Sequence, residues 1–231
     1  TKNTLVFLPL ALSMEFSVSA ITSGALAFLA LSFIASASYV LNDLVDIEND
    51  RNHPDKRNRP LASGSISPIR AKIGMALLFT LSVVVALIIE STAVLVSLSI
   101  YSVINVGYSL FLKKIVIVDV FALTTLYLLR IFYGGFATQT EISTWLIIFC
   151  FFVFLCLALL KRHAELVLAN KAQNGGSDLL KARGYLPDDH WFVALFGIGT
   201  GSVSAATLGI YISEITEATW SVLWILLPLW T

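Results

Sequence analysis

Residues 21–51 read ITSGALAFLALSFIASASYVLNDLVDIENDR, an apolar run that ends in a group of acidic side chains. The apolar part is about 20 residues long, which is the length a helix needs to cross a ~30 Å hydrocarbon layer. Similar runs predict further spans near 69–89, 92–111, 115–137, 144–160 and 191–213, a partial helix near 5–12 and a last span from about 219. The sequence therefore predicts an all-α, polytopic transmembrane helical bundle, with its first full span near 21–44.

The composition supports a membrane protein. Of the 231 residues, 57% are hydrophobic and 13% are charged, whereas soluble domains carry about 25% charged residues. The formal net charge is zero, so nothing suggests a nucleic-acid partner, and we expect the lipid bilayer to be the main partner. Cys150 and Cys156 lie in one apolar run and form no disulfide or metal pattern. We expect a single domain over residues 1–231, trimmed at both ends.

The basic residues predict the orientation in the membrane. Thirteen of the fifteen lie in or beside the polar loops 45–68, 113–114 and 161–190, namely Arg51, Lys56, Arg57, Arg59, Arg70, Lys72, Lys113, Lys114, Lys161, Arg162, Lys171, Lys181 and Arg183. The opposite connections are short or acidic. By the positive-inside rule the three polar loops face the cytoplasm, and we expect a multi-pass protein of a bacterial inner membrane with its active site on that side.

The acidic residues after the first full span form the densest polar group. Four oxygen-bearing side chains of this group fall within about 100° of one another on a helix, namely the amide of Asn42 and the carboxylates of Asp43, Asp46 and Asp50. Three carboxylates on one face need a cation, and Mg²⁺ takes oxygen ligands together with substrate phosphates. Glu48 falls on another face. We predict a magnesium–diphosphate site, while a solvated helix end whose acids pair with nearby bases is the alternative.

The spacing N-D-x-x-D-x-x-x-D at 42–50, with His53-Pro54-x-Lys56-Arg57-x-Arg59-Pro60 after it, resembles the first aspartate-rich motif of the UbiA superfamily of intramembrane prenyltransferases. The resemblance extends through 108–114, 119–121, 129–135 and 161–166. It implies about nine helices around a central cavity, of which seven to eight are present here. It also implies Mg²⁺ as cofactor, the four acidic-motif residues as catalytic and metal-binding groups, and phosphate contacts from Lys56, Arg57 and Arg59.

The resemblance also implies phosphate contacts near the end of the predicted span 92–111. They come from Tyr108, Lys113 and Lys114. The family pattern places a lysine four residues after the tyrosine, but position 112 is Leu, so either lysine could make the contact. Lysines that extend toward the aqueous side of a membrane interface are the structural alternative.

Two ionisable residues lie inside the predicted span 115–137. Asp119 and Arg130 are eleven residues apart, on one helix face but roughly 16 Å apart along the axis, so they cannot pair directly. Such residues usually face a cavity. We expect Asp119 near the cavity mouth and Arg130 toward the bundle interior, with Glu141 or a backbone carbonyl as a purely structural partner in the alternative case.

The third polar loop begins with Lys161, Arg162 and Glu165. Aromatic prenyltransferases of the superfamily carry a second D-x-x-x-D motif there, whereas this segment is basic with a single acid. The exchange resembles the branch that transfers phosphoribose from phosphoribosyl diphosphate to a polyprenyl phosphate. Lys161 and Arg162 are therefore further candidates for phosphate binding, and Glu165 is a possible cavity residue.

We accordingly expect a Mg²⁺-dependent membrane transferase that acts on polyprenyl phosphate or diphosphate together with a diphosphate-bearing donor. Phosphoribosyl transfer to a polyprenyl phosphate is the leading hypothesis, in keeping with a role in cell-envelope lipid biosynthesis. Transfer of a prenyl group from a prenyl diphosphate to an aromatic or other lipid-soluble acceptor is the alternative. A transporter is a third possibility, which acids at a cytoplasmic mouth support poorly.

Overall fold

The computed structural model describes residues 2–51, 56–171, 184–186 and 188–215, which form helices and connecting turns. After a 3-10 turn at Lys2–Phe7 come α1 (Leu8–Ser13), α2 (Val18–Val45), α3 (Ile47–Arg51), α4 (Pro68–Ile88), α5 (Thr92–Leu110), α6 (Val118–Thr138), α7 (Thr144–Lys171) and α8 (Asp189–Ile215). The predicted last span from about 219 lies outside the described residues, as do His53, Pro54, Lys181 and Arg183.

Six of these helices are long and apolar enough to cross a membrane. They correspond to the six full spans predicted from the sequence. Three of them begin after a serine whose hydroxyl accepts a hydrogen bond from a backbone N–H in the first turn. The N–H groups of a first turn have no partner within the helix, so the serine satisfies one of them. The serines are Ser17, Ser67 and Ser91. Local sequence thus fixes where α2, α4 and α5 start.

The main difference from the sequence-based boundaries concerns α7. We predicted its end near 160, where the apolar run stops, but the helix continues to Lys171. Lys, Arg, Ala and Leu all favour helices, so the change from apolar to charged residues marks the expected end of the lipid contact and not the end of the helix.

The first compact unit comprises Thr1–Leu112 and Leu129–Glu141. Its central helix is α2, which packs against α4, α5 and the N-terminal turn. Small buried residues such as Ala27 and Ala30 let the neighbouring helices approach closely. The hydroxyl of Ser82 on α4 donates to the carbonyl of Ala30 at 2.7 Å. This interhelical bond fixes the contact between α2 and α4.

The second compact unit comprises Lys113–Leu128 and the described part of Ile142–Thr231. Here α7 packs along α8. The core of the unit joins α6, α7, α8 and the segment before α8, and its buried members are Val120, Leu155, Ala158, Leu159, Leu166, Ala169, Tyr185 and Val193. Tyr185 and the first turn of α6 are therefore parts of one apolar core.

Candidate functional site

The acidic motif lies where α2 ends. Asn42 and Asp43 belong to the last turn of α2, Asp46 follows that helix, and Asp50 lies on α3. The backbone bends at Asp46, but the N–H of Asp46 still donates to the carbonyl of Asn42 at 3.0 Å, and the N–H of Asp50 donates to that of Asp46 at 2.8 Å. Helical spacing therefore continues through the bend. Glu48 is exposed, as predicted for a residue on another face.

Two of the acids share one guanidinium. Nη1 of Arg59 lies 2.9 Å from Oδ1 of Asp43 and 2.9 Å from Oδ2 of Asp50. Asp50 is only 4% exposed, so its charge needs a partner inside the protein. We assigned Arg59 to substrate phosphate from the sequence. The structure shows that it bridges the acidic motif, which is the pairing that the alternative interpretation anticipated.

The segment from Lys56 to Gly64 positions Arg59. The N–H of Arg59 donates to the carbonyl of Lys56 at 2.9 Å, and Nε of Arg51 donates to the carbonyl of Ala62 at 3.1 Å. Gly64 has a φ of +81°, a conformation that glycine adopts without the steric cost of a side chain. These contacts fold the segment back onto α3, so that Arg59 reaches both acids.

The donor set of the acidic motif fits magnesium in its chemistry. Three carboxylates and an amide supply the oxygen ligands that Mg²⁺ prefers, and Mg²⁺ is typically held by one or two protein carboxylates plus phosphates. As arranged, however, the described residues contain no group of three or more His, Cys, Asp or Glu side chains placed to hold a metal ion. Asp43 and Asp50 close on Arg59 instead. A bound divalent cation would therefore compete with Arg59 for these two carboxylates.

The other predicted phosphate ligands differ in exposure. In the first unit Lys56 and Tyr108 are half-buried and Arg57 is exposed, and in the second unit Lys113 is half-buried while Lys114 and Lys161 are exposed. Each exposed cation is accessible to an anionic ligand. Their roles stay predictions.

The second unit contains a buried ionic cluster that the sequence did not predict. Asp119 is fully buried, and its Oδ2 pairs with Nη2 of Arg162, which is 3% exposed. Nη1 of Arg162 pairs with Glu165. We expected Asp119 at a cavity mouth and Arg162 on phosphate, but the geometry does not favour either role, because the guanidinium contacts two carboxylates of its own unit. Residues distant in sequence form this cluster, which periodicity cannot reveal.

Tyr185 is the member of this cluster that we missed. Its hydroxyl donates to Oδ1 of Asp119 at 2.7 Å and accepts from the N–H of Ile117 at 3.0 Å. The guanidinium of Arg162 lies over its ring, 5.3 Å from the centroid. Burial, and then the hydrogen bond to Asp119, raise the pKa of Tyr185 to about 12. The only hint in the sequence was an aromatic residue at the end of a polar loop.

Arg130 is buried in the first unit, where it contacts two neutral side chains. Nη2 donates to the hydroxyl of Tyr101 at 2.8 Å, and Nε donates to Oδ1 of Asn3 at 3.3 Å. The Tyr101 ring lies beneath the guanidinium at 5.3 Å. Asn3 belongs to the N-terminal turn, so Arg130 links that turn to α6 and α5.

Comparisons with known proteins place these features in a family. The chain is 36% identical over 207 residues to the Uncharacterized protein y4nM of Sinorhizobium fredii, covering 89% of this chain and 39% of that protein. It is also 36% identical over 172 residues to a decaprenyl-phosphate phosphoribosyltransferase of Corynebacterium glutamicum, covering 72% of this chain and 52% of that enzyme. The chain thus spans about half the length, or less, of these curated relatives.

A solved structure shares the fold. The structure of a UbiA homologue from Archaeoglobus fulgidus bound to GPP and Mg²⁺ matches with a TM-score of 0.73 at 19% identity, over 100% of this chain and 83% of that one. At this identity the likeness shows the fold alone, and it confirms the predicted all-α membrane architecture. The model of the UbiA prenyltransferase family matches residues 4–165, a range that holds both the acidic motif and the Asp119–Arg162 pair. This multi-pass membrane protein therefore belongs to the UbiA prenyltransferase family.

Proposed function

We propose that the chain forms the membrane domain of a Mg²⁺-dependent transferase that moves phosphoribose from phosphoribosyl diphosphate to a polyprenyl phosphate. One observation carries the choice of donor. The acid in the 161–165 segment, Glu165, pairs with Arg162, which also pairs with Asp119, so this segment offers a poor second metal site. The relative named decaprenyl-phosphate phosphoribosyltransferase supports the same choice.

The acidic motif is the proposed site of the donor's diphosphate. Asn42, Asp43, Asp46 and Asp50 would hold Mg²⁺, which when bound would neutralise charge on the departing diphosphate. Arg59 would then leave Asp43 and Asp50 and contact phosphate oxygens, since a guanidinium binds either anion in a similar geometry.

The chemistry requires little from the protein beyond binding and charge compensation. A phosphate oxygen of the lipid forms a bond to the anomeric carbon while the bond from that carbon to the diphosphate oxygen breaks. Because the attacking phosphate is already anionic, no general base is needed. Lys56 and Arg57 in the first unit, and Lys113, Lys114 and Lys161 in the second, are proposed to neutralise phosphate groups, with Tyr108 as a further phosphate contact.

Burial of Arg162 excludes it from our proposed set of phosphate ligands. We instead assign Arg162, Asp119 and Glu165 a structural role within the second unit. Arg130 is likewise assigned to the interior of the first unit through Tyr101 and Asn3. We place the acidic motif and the basic loops on the cytoplasmic side of a bacterial inner membrane, on the basis of the positive-inside rule.

A detergent-solubilised assay with Mg²⁺ tests the proposal. One mixture contains labelled phosphoribosyl diphosphate and polyprenyl phosphate, and the other contains labelled prenyl diphosphate and hydroxybenzoate. We expect label to reach the lipid phase as phosphoribosylated lipid in the first mixture. A product in the second mixture alone would instead establish the alternative, which is prenyl transfer to a lipid-soluble acceptor. Membership of the UbiA prenyltransferase family argues against the third possibility, a transporter.

The acidic motif has its own variant test. Asp46→Ala should lower turnover at least about 100-fold, because loss of charge compensation at a diphosphate costs several kcal/mol, while the melting temperature stays close to that of the wild type. Glu48→Ala is the matched control, since Glu48 is exposed two residues away. Full activity of Asp46→Ala would refute the assignment.

A further inference from the structure

The turn that leads into α6 carries two lysines and a strained residue. After a short 3-10 turn at Leu112–Lys114, α6 begins at Val118. Ile117, between them, has a φ of +68°. A β-branched residue rarely adopts this left-handed conformation, and such strain persists only where the surrounding contacts impose it. Contacts elsewhere in the unit must therefore hold this turn in place.

Tyr185 supplies the contact at the strained residue. Its hydroxyl accepts the hydrogen bond of the Ile117 N–H at 3.0 Å and donates its own proton to Oδ1 of Asp119 at 2.7 Å. Tyr185 is 3% exposed and Asp119 is fully buried, so water does not compete for these bonds. One hydroxyl group thus joins the residue before α6 to a carboxylate in its first turn.

The buried ionic cluster fixes Tyr185 in turn. Arg162 pairs with the second oxygen of Asp119 and also lies over the ring of Tyr185, 5.3 Å from its centroid. Two contacts therefore fix the position of the Tyr185 side chain. The guanidinium of Arg162 packs on its ring, and the carboxylate of Asp119 accepts the hydrogen bond of its hydroxyl. Loss of the hydroxyl alone would leave the ring contact in place.

Gly184, the residue before Tyr185, lies against the backbone of the turn that carries Lys113 and Lys114. It has a φ of +73°, and a Cβ added there would lie 2.8 Å from the carbonyl oxygen of Lys114. The backbone before Tyr185 consequently packs directly on the backbone of the lysine turn. Two adjacent residues, Gly184 and Tyr185, contact the two ends of the segment from Lys114 to Ile117.

We propose that Tyr185 is a positioning residue that holds Lys113 and Lys114 in the arrangement that binds phosphate groups. The inference rests on the phosphate role proposed above for these two lysines. Tyr185 does not itself contact substrate, and it acts through Ile117 and the turn.

Binding of inorganic diphosphate in the presence of EDTA, measured by calorimetry on the full chain, tests the proposal without metal or turnover. Tyr185→Phe removes both hydrogen bonds of the hydroxyl, to Ile117 and to Asp119, and should weaken binding on the order of tenfold. Tyr211→Phe is the matched control, because Tyr211 lies on α8 of the same unit and is only half-buried, and it should bind as the wild type does.

A double-mutant cycle separates positioning from a general structural effect. In a chain that carries Lys113→Gln and Lys114→Gln, Tyr185→Phe should cause less than about a twofold further loss of diphosphate binding, since the lysines through which it acts are gone. The same tenfold loss in that chain would overturn the proposal, as would equal affinities of Tyr185→Phe and the wild type.

A second variant covers the case in which Tyr185→Phe does not fold. Gly184→Ala keeps the tyrosine but presses a methyl group against Lys114, and it should also weaken diphosphate binding; wild-type affinity in this variant would contradict the inference. The transfer assay on the wild type is a separate readout. Failure of transfer would refute the proposed function, whereas the diphosphate measurements decide the role of Tyr185.

Discussion

The guanidinium of Arg59 lies between two carboxylates that we propose as magnesium ligands. Removing it should therefore make Asp43 and Asp50 more available to a divalent cation. We expect Arg59→Gln to bind Mg²⁺ about fivefold more tightly than the wild type in the absence of diphosphate, which corresponds to about 1 kcal/mol for a partly exposed ion pair. Calorimetric titration with MgCl₂ measures this change.

Arg70→Gln provides the control for Arg59→Gln. Arg70 is exposed at the start of α4, so this substitution removes the same charge from the same unit without changing the acidic motif. Its Mg²⁺ affinity should match that of the wild type. Unchanged or weaker Mg²⁺ binding by Arg59→Gln would show that Arg59 does not compete with the metal.

The buried pair of Arg162 and Asp119 predicts a large effect on stability. Arg162→Met would leave the fully buried Asp119 without its guanidinium, and breaking a buried pair from one side costs about 3–5 kcal/mol. We expect a correspondingly lower midpoint of denaturant unfolding in detergent. The double variant Asp119→Asn/Arg162→Met should recover part of the loss, and Lys161→Gln, at an exposed neighbouring position, should change the midpoint little.

At the scale of the helices, the backbone of α6 at Gly134 lies directly against the backbone of the N-terminal turn at Val6. A Cβ added at Gly134 would lie 2.0 Å from the carbonyl oxygen of Val6, and backbone atoms cannot move aside easily. Gly134→Ala should destabilise the protein by about 1–3 kcal/mol, as overpacking does. Thermal unfolding in detergent should show a lower melting temperature.

Gly74→Ala is the matched control on another helix. Among the residues that the structure describes, no atom of a neighbouring element lies within 4 Å of a Cβ added at Gly74 on α4, so alanine should be neutral or stabilising by up to about 1 kcal/mol through its higher helix propensity. Equal melting temperatures for the two variants would show that the close approach at Gly134 is unimportant.

The helices were largely predictable from the sequence, because a hydrocarbon layer demands long apolar segments whose backbone bonds are satisfied internally. The serine N-caps add sharp starts to α2, α4 and α5. The extension of α7 to Lys171 and the bend at Asp46 were not predicted, since hydropathy reports the environment of a helix and not its hydrogen bonding.

The candidate site was predictable only in part. Helical spacing predicted that Asn42, Asp43, Asp46 and Asp50 share one helix face, and the structure shows two of these residues, Asp43 and Asp50, on one guanidinium. The bridge from Arg59, and the contact of Tyr185 with Asp119, join residues that are distant in sequence. Such pairs depend on how turns fold back on the helices, which a periodic pattern does not contain.

At the scale of the whole molecule, the orientation in the membrane is open to a direct test. In a chain with Cys150→Ala and Cys156→Ala, we expect Ser65→Cys to react with a membrane-impermeant maleimide in inverted vesicles but not in intact cells. Both Ser65 and Glu141 are exposed, on opposite sides by the positive-inside rule. Glu141→Cys should show the opposite labelling, and a reversed pattern would contradict the proposed cytoplasmic active site.

The placement of Arg59 also has a practical consequence for handling the protein. In zinc fingers the metal supplies the folding energy, and a chelator unfolds them. Here the chain balances the charge of Asp43 and Asp50 with its own guanidinium, so extraction and storage in a chelating buffer should leave the fold intact. Different divalent ions can then be added back to one metal-free stock, which allows the ion preference of the proposed transfer reaction to be ranked directly.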